Sequence, residues 1–178
     1  MSTATEAEKP GSAPGSPLLE KARRLGLRLP LDLERLALAR GCTYYARDLA
    51  PRTPPLSDVP LSNTELAIAL IVPSLRPTAR EIRLAAALLG APDVQPDEAA
   101  ALAVQENCAE VARHIALSGC RFEPDNPFWP SLLAQLPKLR VDTDRLPHPT
   151  RFVEMTGIDR GKVGNFTRWI RPRRPVAA

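Results

Sequence analysis

An all-α fold, a bundle of short helices, is what three observations predict. Hydrophobic residues make up 44% of the chain but aromatics only 4%. The core must therefore be Leu, Ala, Ile and Val, a composition that favours helices packed on Ala faces over a sheet. Twenty prolines punctuate the 178 residues, which keeps each helix short. Two Ser/Thr-x-x-Glu signatures, Ser62 to Glu65 and Thr78 to Glu81, stand before apolar helical runs. There the hydroxyl and the carboxylate each satisfy an orphan backbone N–H at a helix start.

Residues 1–16 are rich in Ser, Ala, Gly, Pro and Glu and bury almost nothing, so disorder is expected there. Residues 17–60 read as a helical arm followed by a Pro-rich linker. Ser16 before Pro17 is a helix start, Pro30 divides the arm in two, and Gly41 ends its second piece. Leu33, Leu36, Ala37 and Arg40 share one face of that piece. The stretch PRTPPLSDVP, residues 51–60, is an extended linker. Leu18, Leu19, Leu25, Leu29, Leu31 and Leu36 are too many leucines for an arm that floats free. They predict a cover, either the chain's own core or another chain, the latter as a homodimer contact or a protein partner through residues 17–60.

Residues 61–137 form the expected helical core. After Thr78, Ile82, Ala85, Ala86 and Leu89 line one face, and Gly90 and Pro92 end the helix. A third helix is predicted from Asp97 to Ser118 with Gly119 as its stop. Its apolar face is Val104, Cys108, Val111, Ala112 and Ile115. Asn126 then caps a helix opened by Pro127. Its rings, Phe128 and Trp129, plug the gap between core and C-terminal segment rather than anchor a partner.

The last segment, 138–178, is expected to be basic and helical. Residues 149–178 hold seven Arg or Lys against Glu154 and Asp159, a net +5. The other 148 residues hold 17 basic and 18 acidic side chains, a net −1. A concentrated basic end is a footprint for phosphates or for an acidic partner.

Several classes fall away. The N-terminus lacks the apolar stretch of a signal peptide, and no run reaches membrane-span length. With three cysteines, an odd number, the expectation is a cytoplasmic protein with reduced thiols and no membrane partner. An excess of Arg over Lys, with abundant Ala and Pro, points by association to a high-GC bacterial genome. GIDRGKV is one residue short of a phosphate loop and lacks the hydroxyl after its lysine. Cys108 and His114 are six residues apart, about 240° around a helix, so they do not converge on a metal. His148 reads as a turn residue between prolines, and no nucleophile–base set can be assembled. The expectation is a non-enzymatic protein with no catalytic residue, metal site or cofactor.

Within RFVEMTGIDRGKVGNFTRWIRPRRP, residues 151–175, Gly157 is placed for a tight turn. Phe152 and Val153 fall on the inner side before it, and Val163 and Phe166 six and nine residues after it. This spacing resembles the helix-turn-helix family of DNA-binding transcriptional regulators, over residues 149–168 only. Val153 stands where that family usually has a small residue, and Thr156 where it has an apolar one. Gly161 and Gly164 would together cost the second helix about 2 kcal/mol of propensity. The resemblance implies that Asp159 caps a recognition helix and that Arg160, Asn165 and Arg168 face base edges, Arg toward guanine and Asn toward adenine. Arg171, Arg173 and Arg174 would then meet phosphate. The expected nucleic-acid contacts, with Lys162, are these seven residues, on duplex DNA rather than RNA. The implied function is a small bacterial regulator or accessory protein. The alternative is a helical adaptor or subunit of a larger complex, whose Phe152, Val163, Phe166 and Trp169 dock on protein.

Overall fold

Seven α-helices and one β-hairpin make up the described residues of the computed structural model. These are 15–42, 56 and 59–139, with the backbone of 155–158 and 165–168. The helices are α1 (Pro17–Arg24), α2 (Leu31–Ala39), α3 (Asn63–Leu70), α4 (Ala79–Leu89), α5 (Pro96–Gln105), α6 (Ala109–Phe122) and α7 (Phe128–Gln135). The strands are β1 (Met155–Ile158) and β2 (Asn165–Arg168). The described residues between 15 and 139 thus form the all-α, short-helix bundle that the composition predicts.

The bundle is built around α3. Seven of its eight residues are buried, the pattern of a helix covered on every side. It packs on α1, α2, α4 and α5, while α7 closes the far side against α5 and α6. Both predicted capping boxes form. Ser62 Oγ accepts the Glu65 N–H at 3.0 Å and Glu65 Oε2 accepts the Ser62 N–H at 2.9 Å. Thr78 and Glu81 make the same reciprocal pair at the start of α4. Ser16 caps α1 through its side chain, and Gly41 follows α2 with φ of +105°.

The leucines of the arm are covered by the chain itself. Leu18, Leu19, Leu33 and Leu36 lie in one continuous core with Leu66, Ile68 and Leu70, and Leu25 and Leu29 pack on its edge. Residues 17–42 are therefore part of the bundle. The homodimer or partner surface expected over 17–60 loses these leucines, because α1 and α2 bury them on α3 and α4. Of the linker, Leu56 is buried and Val59 packs against the core.

The single helix expected over Asp97–Ser118 is two helices. Asn107 adopts φ of +58°, a left-handed conformation that asparagine tolerates better than most residues. The Asn107 and Cys108 N–H groups turn back to Val104 and Ala103 carbonyls and end α5. The reorientation leaves Val104 49% exposed, off the apolar face that Cys108, Ala112 and Ile115 keep.

Gly119 is not a stop; α6 runs through it to Phe122. A Cβ at this position would lie 2.2 Å from Cδ2 of Trp129. The glycine is a notch in α6 that admits the indole, and Trp129 is fully buried. Trp129 Nε1 donates to Glu123 Oε2 at 2.7 Å, so the ring's one polar group is satisfied. Asn126 accepts the Phe128 N–H at 3.1 Å, as a cap should, and Phe128 meets Trp129 edge-on with centroids 4.9 Å apart.

Candidate nucleic-acid interface

The basic C-terminal segment carries a further departure from the sequence reading. Where a helical pair is expected over 149–168, β1 and β2 pair antiparallel. Met155 stands across from Arg168, Thr156 from Thr167, Gly157 from Phe166 and Ile158 from Asn165. The local sequence has a physical reason to prefer this. Gly161 and Gly164 weaken a helix, and both fall in the six-residue connection between the strands.

This register rearranges the expected contacts. Asn165 and Arg168 are three apart, which on a helix puts them on one side. On a strand, successive positions alternate between faces, so Arg168 shares a face with Met155, Gly157 and Phe166. Asn165 shares the other with Thr156, Ile158 and Thr167. Asn165 and Arg168, two of the seven expected contact residues, lie on β2. Arg160, Lys162, Arg171, Arg173 and Arg174 lie outside the described residues, as do Phe152, Val163 and Trp169.

The bundle's own ionisable groups are engaged in packing. Lys21 of α1 pairs with Glu65 of α3 at 2.6 Å, and Arg80 of α4 with Glu34 of α2 at 2.6 Å. Asp32, fully buried, accepts the Arg28 N–H at 2.8 Å and Arg35 Nη1 at 3.1 Å. Arg40 donates to Asn63, whose amide donates in turn to Asp93. Glu34 and Glu81 share a hydrogen bond. Burial and that bond raise the Glu34 pKa against the pull of Arg80. Burial acts on Glu81 too, but hydrogen bonds from Thr78 and Glu34 hold it below the usual carboxylate range. This acid pair joins α2 to α4, and nothing in the spacing of positions 34 and 81 announces it.

Burial pushes the Cys42 and Cys108 thiols up to about 12, so both are core fillers and poor nucleophiles. Burial also lowers the His114 pKa to about 4, which leaves the ring neutral at neutral pH. Among the described residues no three His, Cys, Asp or Glu side chains gather as metal ligands. No described helix is long and apolar enough to cross a membrane. No protein-family model, no curated protein and no solved structure matches this chain.

Proposed function

We propose that this is a non-enzymatic cytoplasmic regulator or accessory protein that binds nucleic acid, duplex DNA in the first place, through its basic C-terminal segment. The observation that carries the reading is the charge division: a net +5 over residues 149–178 beside a net −1 over the rest. Such a segment attracts phosphate whatever its local fold, and neutralising phosphates releases counterions. The antiparallel pairing of β1 with β2 supports the reading in a revised form. A two-stranded ribbon, like a helix, fits the major groove of B-form DNA. Asn165 and Arg168 then take separate roles, one toward a base edge and the other toward backbone, with Arg160 and Lys162 between the strands. Arg171, Arg173 and Arg174 supply phosphate contacts that fix position without reading sequence.

The test is fluorescence anisotropy of a labelled random duplex with the full chain and with a 1–148 truncation, across a salt series. The full chain binds, with log affinity falling steeply against log salt. The truncation keeps its helical signal by circular dichroism and does not bind. Replacing Arg171, Arg173 and Arg174 together by Ala lowers the salt slope by about one for each phosphate no longer neutralised. A folded full chain that ignores duplex at low salt overturns the reading and turns these arginines toward a protein partner.

A further inference from the structure

We propose that a groove on the helical bundle, between the start of α1, the turn at Pro73–Leu75 and the α5–α6 break, binds a small zwitterion with a primary ammonium and a carboxylate, such as a free amino acid. The groove encloses about 520 Å³, within the roughly 300–1,000 Å³ of ligand-sized clefts. Leu19 and Val72 supply apolar wall, and Arg23, Glu106 and Asn107 supply polar wall.

Glu106 points to the ligand's cation. Its side chain is only 3% exposed. Oε1 accepts the Leu18 N–H at 2.9 Å, across 88 residues of chain. Oε2 is buried with no hydrogen-bond partner. A buried carboxylate with one neutral donor is under-compensated, since the remaining oxygen has lost water and gained nothing. A primary ammonium brings the opposite charge and the missing donor in one group.

The anionic end follows from what α1 leaves open. Its start offers no free backbone donor. Position 17 is proline, Glu106 takes the Leu18 N–H, Ser16 Oγ takes that of Leu19 and the Ser16 carbonyl takes that of Glu20. An anion in the groove therefore has Arg23, four residues beyond Leu19 and so on the same face of α1. Arg23 is exposed and lines the groove. The break after α5 serves this arrangement. With Asn107 in the left-handed conformation, the chain turns at Glu106 and holds that carboxylate against the start of α1.

The experiment titrates the ¹⁵N-labelled full chain with norvaline, butylammonium and butyrate, following the amide signals of Ser16, Leu18, Glu106 and Asn107. Norvaline is expected to give saturable shifts at these amides, with either half-ligand at least about tenfold weaker, a difference of roughly 1.4 kcal/mol. Glu106→Gln keeps an oxygen for the Leu18 N–H and loses the charge, and it is expected to weaken norvaline by tenfold or more. Arg23→Ala, at an exposed position that leaves the core intact, is expected to do the same and to bring norvaline down to the level of butylammonium. No saturable shift with norvaline, or equal affinity in both variants, overturns the proposal. Butylammonium binding as tightly as norvaline overturns it as well, since Arg23 would then hold nothing.

Discussion

The helical bundle and the C-terminal segment treat charge in opposite ways. In the bundle, cations are matched to anions close at hand: Lys21 with Glu65 and Arg80 with Glu34 across helix interfaces, and Arg35 with the buried Asp32 within α2. Residues 149–178 set seven cations against two anions. Charges used for packing cancel nearly in place, whereas those of the C-terminal segment accumulate with one sign. The same contrast holds for glycine. Gly119 in α6 is a notch cut for one ring, while Gly161 and Gly164 fall in the connection between two strands.

If stability and binding are divided this way, damage to the bundle core should unfold the protein without touching the source of duplex affinity. The largest effect is expected from Trp129→Ala. It empties a fully buried site and removes the donor to Glu123, at about 3–5 kcal/mol. Urea denaturation measures the loss. Duplex anisotropy at a temperature where the variant remains folded should match the parent. A change in salt slope would break the division.

Gly119→Ala is a sharper probe of the same contact. Alanine favours a helix over glycine by about 1 kcal/mol, so an exposed site would gain. Here the new methyl meets the indole at 2.2–2.6 Å, and overpacking costs about 1–3 kcal/mol. A net loss in urea is expected. Pairing it with Trp129→Ala should remove most of that loss, because the ring that objects is gone.

The effect that vanishes at neutral pH is a pH dependence confined to the bundle. The His114 pKa lies near 4 in the folded chain, below the ordinary 6.5. Between these values the unfolded chain binds the proton more readily, so His114 withdraws stability as pH falls from 6.5 to 4 and contributes no further change below that. Thermal melts of the parent and of His114→Gln should diverge across that window, with the parent losing more. Parallel curves would mean that His114 reaches water as freely when folded as when unfolded.

Local chemistry was legible in the sequence, down to single residues. The caps at Ser16, Ser62, Thr78 and Asn126 and the ends at Gly41 and Gly90 depend on neighbours within four positions. Four positions is the reach of a helix hydrogen bond, so sequence spacing reports them. The short helices and their Leu/Ala core followed from composition and proline content. For the candidate interface, the charge division was legible but the arrangement of its residues was not. Positions 165 and 168 read as one turn of helix in the sequence and lie on β2 in the fold, because pairing with β1 joins residues beyond the reach of a helix hydrogen bond.

The features that only the tertiary structure decided all join distant parts of the chain. Glu106 caps α1 from 88 residues away, Glu34 meets Glu81 in a hydrogen bond across the α2–α4 interface, and Trp129 settles into the notch at Gly119. The leucines of α1 and α2 were visible as apolar from the start, but apolar pattern specifies only that a face is covered. Which surface covers it is decided by packing, because burial stabilises any fitting apolar contact alike and only the complete fold selects among them.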